Sequence, residues 1–117
     1  MSADTAVDPA IFANFVPLNA LRPESQRDLA RKCTVSTAHK GATLFRIGDN
    51  ATQAIYLLAG EVDLTDAQGK AVSRIRAGEP ASFHRLAHQS PRRVQATCAT
   101  EVKYLGVDAG LLDVMLT

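Results

Sequence analysis

The sequence has no tryptophan, four phenylalanines, two tyrosines and two cysteines among its 117 residues. No apolar stretch approaches the roughly 18 residues that span a bilayer, which excludes insertion by a transmembrane helix. The opening residues, Met1-Ser2-Ala3-Asp4, carry neither the basic nor the apolar region of a secretory signal, so the cytoplasm is the expected compartment. Neither sign of charge dominates: 13 Lys and Arg face 12 Asp and Glu, for a formal net charge of +1. Such a balance creates no broad field for nucleic acid or an anionic membrane, and any anion site must be local. Cys33 and Cys98 form neither a CxxC pair nor part of a metal quartet. In a reducing compartment they read as two small buried thiols rather than a disulfide. Neither GxSxG nor HExxH occurs, no paired carboxylates sit in a glycine-rich turn, and we expect no enzyme.

What is present fits one globular domain, with 46% hydrophobic and 21% charged residues. Residues 1–8 are small and acidic without periodicity and read as a disordered tail, leaving 9–117 as a single domain. Asp8 as N-cap, Pro9 at the first helical position, and Ile11, Phe12 and Phe15 on one face predict a short helix that Pro17 ends. A second helix is expected over residues 22–31, beginning at Pro23.

From residue 33 the texture changes to runs rich in Val, Thr, Ile and Leu, divided by Gly41, Gly48, Gly60, Gly69 and Gly78. Strands are expected over residues 33–38, 43–47, 54–59, 61–66, 71–76, 92–100 and 102–107, about eight short strands in all. Their beat of roughly 8–12 residues suits a sandwich or barrel. Gln68-Gly69 marks the clearest hairpin turn. Residues 79–90 form one long loop carrying His84 and His88. Asp108 then caps a final helix with apolar Leu111, Leu112, Met115 and Leu116. That helix reaches Thr117 without Gly, Pro or a basic last turn, and we expect the polypeptide to continue in a longer protein.

Two runs are more specific. Gly41-Ala42-Thr43-Leu44-Phe45-Arg46-Ile47-Gly48-Asp49 is followed by Ile55-Tyr56-Leu57-Leu58-Ala59-Gly60-Glu61-Val62, and later come Ala77-Gly78-Glu79 and Val102-Lys103-Tyr104-Leu105-Gly106-Val107-Asp108. Behind two leading helices, this pattern resembles the cyclic-nucleotide-binding domain, the β-roll of catabolite-activator-type regulators, cyclic-nucleotide-gated channels and kinase regulatory subunits. The resemblance implies a mainly β fold, a jelly-roll-like double-stranded β-helix with two N-terminal helices and a C-terminal helix. It also implies a sensory or regulatory role. The glycines themselves speak for tight corners between strands, and so for fold rather than ligand.

In that family the nucleotide is held by a phosphate-binding cassette: a Phe-Gly-Glu-Leu-Ala-type run, a short helix and loop, then Pro-Arg followed by small hydroxyl residues. The helix N-terminus and the Arg hold the cyclic phosphate, and the Glu accepts from the ribose 2′-OH. Here the stretch reads Phe83-His84-Arg85-Leu86-Ala87-His88-Gln89-Ser90-Pro91-Arg92-Arg93-Val94-Gln95. Counting back from the last strand places Pro91-Arg92 on the family's Pro-Arg. Counting forward from Phe83 places His84 on the Gly and Arg85 on the Glu, whereas counting back from Arg92 places Ser82 and Phe83 there. Neither alignment supplies a carboxylate, and Val94-Gln95 replace the hydroxyl residues. A ribose hydroxyl left without its acceptor costs about 1–3 kcal/mol. Binding of cyclic AMP or cyclic GMP is therefore expected to be weak or lost.

The candidate site for a small anionic or nucleotide ligand is Phe83, His84, Arg85, Arg92 and Arg93. Because adjacent strand residues point to opposite faces, at most one of the two last arginines faces the pocket, and register favours Arg92. The bland counterpart is a solvated basic loop edge. His84 and His88 are four apart, but no third metal ligand follows at useful spacing, so they read as surface or pocket-wall residues and no metal or cofactor is expected. Phe12, Phe15, Phe45 and Tyr56 are assigned to core packing and Glu61 to an exposed strand position. The expected function is a non-catalytic regulatory ligand-binding module with no direct nucleic-acid binding, which acts on an output domain attached in a longer protein. The rival is an interaction or homodimerisation module without a small-molecule ligand.

Overall fold

Pro9, Pro23 and Pro80 each open a helical turn, where a fixed φ helps and the missing N–H costs nothing. The computed structural model describes residues 9–16, 18–50, 52–84, 86 and 93–116. The expected first helix is a 3₁₀ helix, Pro9–Asn14, followed by a short 3₁₀ turn at Leu18–Ala20. Helix α1 (Pro23–Lys32) is the second expected helix, with Glu24 in its first turn and Arg31 and Lys32 in its last, matching the helix dipole. Its Leu29 and Ala30 are buried.

Seven strands follow among the described residues: β1 (Thr34–Ala38), β2 (Thr43–Phe45), β3 (Gln53–Ala59), β4 (Glu61–Thr65), β5 (Ala71–Arg76), β6 (Gln95–Cys98) and β7 (Val102–Asp108). A third 3₁₀ turn, Pro80–Phe83, lies between β5 and β6, and α2 (Ala109–Leu116) follows β7. The strands form two antiparallel sheets, ordered β1-β7-β3 and β2-β6-β4-β5. Strand β2 ends two residues before the expected limit because Arg46 N–H donates to the Asp49 carboxylate at 2.9 Å and closes a turn there. The cap at α2 is as expected: Leu111 N–H donates to Asp108 Oδ1 at 2.8 Å. The expected tail, residues 1–8, and the stop at Pro17 lie outside the described residues.

The three-stranded sheet separates two apolar layers, and strand alternation decides which side chain enters which. On β3, Ala54 and Tyr56 face the helical layer with Phe12, Phe15, Leu18, Leu29 and Leu112, whereas Ile55 and Leu57 face the second sheet. On β7, Leu105 and Val107 face the helices and Val102 faces the roll. The roll interior is filled by Phe45, Leu57, Val62, Ile75, Leu86, Ala96 and Cys98.

On the outer face of β4 and β5 the paired positions carry opposite charges, since Glu61 lies opposite Arg76 and Asp63 opposite Arg74. Arg74 Nε donates to Asp63 Oδ1 at 2.6 Å and Arg76 Nε to Glu61 Oε1 at 3.1 Å. Glu61, expected as a plain exposed residue, is thus half-buried and paired. The hydrogen bond from Arg74 holds the Asp63 carboxyl below its usual pKa, which adds stability at neutral pH that is lost as pH falls through the lowered value. Solvent exposure of the pair keeps that contribution small. Both cysteines are free thiols. Burial pushes Cys33 up to about 11 and Cys98 also upward, so both stay protonated and unreactive at neutral pH.

Candidate functional site

The segment after β5 is built outward from a glycine turn. Gly78 has φ +89°, and its N–H donates to the Ser82 hydroxyl at 3.1 Å while that hydroxyl donates to the Glu79 carbonyl at 2.7 Å. Ser82 is 1% exposed, and both of its hydroxyl functions are used within this turn. The turn presents Phe83, half-buried, whose carbonyl accepts from Val16 N–H at 2.8 Å, and His84 makes a parallel bridge with Val16. From the other side, Tyr56 Oη donates to the Val16 carbonyl at 3.0 Å. Tyr56 also meets Phe15 with ring centroids 5.1 Å apart. Val16 is therefore clasped by both the core of the sheet and the segment after β5. Tyr56→Phe is expected to lower the unfolding free energy by about 1 kcal/mol, with the change in urea midpoint accompanied by shifts at the Val16 and Phe83 amides.

Leu86 ends this segment on the opposite side of β3. Its N–H donates to the Ile55 carbonyl at 2.8 Å, and its side chain, 2% exposed, packs in the roll interior. His84 stands where the forward count puts the cassette glycine, and its φ of −106° and ψ of 157° are extended values open to any residue. The backbone at this position therefore does not require glycine.

Of the candidate residues, Phe83 sits at the seam between the helical layer and the roll, whereas His84 and Arg93 are exposed. Arg85, Arg92 and His88 lie outside the described residues. No charged side chain is buried among the described residues, and no three His, Cys, Asp or Glu side chains gather there. Sequence reasoning missed three contributors: Leu86, Ser82 and the Val16 clasp. Leu86 had a readable signal, being the sole large aliphatic residue between Phe83 and Val94. The Val16 contacts are long-range and leave no local trace.

No protein-family model and no curated protein matches the sequence. Solved structures do match. The sensor domain of the transcriptional regulator DNR from Pseudomonas aeruginosa superposes with a TM-score of 0.76 at 17% identity, over 93% of this chain and 80% of that one. A cyclic-nucleotide-binding-like protein from Brucella abortus gives 0.68 at 21% identity, over 93% of this chain and 97% of that one. The chain has the cyclic-nucleotide-binding fold. The same fold is found in a regulatory subunit of a cAMP-independent protein kinase A from Trypanosoma brucei, a triple mutant bound to cAMP in its A site, with a TM-score of 0.72 and 17% identity over 92% of this chain and 41% of that one. This chain spans 38% of the length of the cAMP-bound PfPKA-R chain. The cyclic-nucleotide-binding fold is thus kept here by turns and apolar alternation, at identities that carry little else.

Proposed function

We propose that this domain is a non-catalytic regulatory module of the cyclic-nucleotide-binding type whose roll no longer holds cyclic AMP or cyclic GMP tightly. The observation that carries this reading is the apolar filling of the roll: Phe45, Leu57, Val62 and Leu86 pack there, and none of the described residues brings a buried charge to meet a phosphate. A buried anion needs a paired cation and directed donors, and a ribose needs an acceptor.

Calorimetric titration with cyclic AMP, cyclic GMP, cyclic dinucleotides and inorganic phosphate tests the proposal. No dissociation constant below about 1 μM is expected, since that affinity requires about 8 kcal/mol. Submicromolar binding of cyclic AMP would sink the reading. If a weaker anion interaction persists, Arg92→Ala abolishes it and Arg93→Ala, at an exposed position, leaves it unchanged. Equal small losses from both would assign it to surface attraction.

A second reading, an interaction or dimerisation module, is favoured by β5. This edge strand of the four-stranded sheet carries Val72 at 58% exposure. A concentration-dependent sedimentation coefficient that Val72→Lys abolishes supports it, and a strict monomer at all concentrations opposes it.

A further inference from the structure

At the edge of β3, between the Pro9–Asn14 helix and the Pro80–Phe83 turn, lies a half-open cavity of about 270 Å³. Ile11, Phe15, Leu57, Leu58 and Phe83 give it carbon walls, and Asn14 stands on its exposed side. It belongs to the seam between the helical layer and the roll, a different place from the roll interior discussed above.

Its shape has an identifiable cause. The pairing of β3 with β7 slips at this point: Leu57 lies opposite Tyr104 and Ala59 opposite Lys103, leaving Leu58 as an extra residue. Neighbouring side chains still leave opposite faces here, as in a regular strand. Here Leu57, which packs into the roll, and Leu58, which packs against the helical layer, line one cavity.

The lining specifies what fits. None of the described lining residues is ionisable, so among them a charged guest finds no partner. The Ser82 hydroxyl is already consumed by Gly78 and Glu79. The Asn14 side chain makes no hydrogen bond with other described residues and offers one donor or acceptor at the mouth. Benzene fits an apolar space of about 150 Å³, so by volume this half-open cleft has room for a six-membered ring with a short substituent. Two phenyl rings, Phe15 and Phe83, stand ready to pack edge-to-face or offset against such a ring.

We propose that the seam cavity is a ligand site for an uncharged monocyclic aromatic molecule bearing one hydroxyl or carbonyl group, with the ring among Ile11, Phe15, Leu57, Leu58 and Phe83 and the polar group at Asn14. A molecule seated there touches the helical layer, β3 and the cassette turn at once, beside the Val16–Phe83 backbone pair. It thereby stiffens the junction through which the two layers meet. The proposal is independent of whether a cyclic nucleotide binds.

The test is a methyl and amide NMR titration of the full chain with benzyl alcohol, with benzoate as the charged control. Saturable shifts are expected at the methyls of Ile11, Leu57 and Leu58 and at the Val16 and His84 amides, with a dissociation constant of about 1 mM or lower. Benzoate should bind at least about tenfold more weakly. Leu58→Trp, which fills the cavity from its half-buried wall, should remove the shifts. Ile11→Phe does the same from the opposite wall should the first variant fail to fold. Asn14→Ala should weaken benzyl alcohol several-fold and leave toluene unchanged. No shift up to about 10 mM, or shifts undiminished in a folded filled variant, overturns the site. Equal benzyl alcohol affinity in Asn14→Ala overturns the role given to that amide, and shifts centred on Phe45 and Val62 would place the ligand in the roll instead.

Discussion

Leu86→Ala is expected to lower the unfolding free energy by about 2–5 kcal/mol, the range for a fully buried leucine whose surroundings cannot collapse. The side chain is 2% exposed and packs in one cluster with Phe45, Leu57, Val62 and Ala96. Those neighbours sit on strands of both sheets, which are held apart by their own pairing, so the space left by the missing heavy atoms stays open. No other large aliphatic residue between Phe83 and Val94 is available to replace it. The backbone bond from Leu86 N–H to Ile55 survives the substitution, so the loss is one of packing and not of chain connection. Denaturant titration checks the size of the effect, with Phe83→Ala, at a half-buried position, as the smaller comparison. A loss under about 1 kcal/mol at Leu86 would mean that the roll closes without it.

The two sheets were readable because each strand carries its own evidence. On β3 the apolar residues run from Ala54 to Ala59 without a polar break, as expected of a strand covered on both faces, whereas β4 and β5 alternate Val62 and Ile75 inward with Asp63 and Arg74 outward. The hairpin at Gln68-Gly69 is equally local: Asp66 Oδ1 accepts from Gln68 and Lys70 N–H, a side-chain turn that depends only on residues within four positions. Asp108 capped α2 for the same reason.

What the sequence hid depends on distance. The bulge at Leu58 exists because β3 must pair with β7 across forty-odd residues of intervening chain, and nothing in Ile55-Tyr56-Leu57-Leu58 marks one leucine as the extra one. Val16 reads as an ordinary apolar residue, yet its two backbone groups join Phe83 and Tyr56. The first helix kept its apolar face but took the tighter 3₁₀ form. Spacing of Ile11, Phe12 and Phe15 cannot separate that form from an α-helix over so few residues. For the candidate site, the loop position of Phe83 was legible from the glycine and proline before it, while the inward anchor at Leu86 is set by its packing against β3 and the second sheet, which no local pattern fixes.

Gly60→Ala is expected to cost about 3 kcal/mol or more, well above the same change at another left-handed glycine. Gly60 has φ +92°, a conformation in which a side chain adds about 1–2 kcal/mol of strain. Space is the second penalty. A Cβ there would overlap the Glu101 carbonyl oxygen and lie 2.8 Å from Thr100 Oγ1. Neither neighbour is free to withdraw, since Thr100 Oγ1 accepts from Glu61 N–H at 3.1 Å and donates to the Glu101 carbonyl at 2.9 Å. The Gly60 carbonyl meanwhile accepts from Ala77 N–H at 3.0 Å, so the corner between β3 and β4 is fixed on both sides. Gly41, at φ +89°, has no heavy atom within 4 Å of the same added carbon. Gly41→Ala should therefore show the conformational strain alone, about 1–2 kcal/mol. The two variants compared by urea unfolding separate strain from overlap: equal losses would show that the strands at Glu101 yield freely, and a loss at Gly60 larger by about 1.5 kcal/mol or more would show that the corner is closed to any side chain.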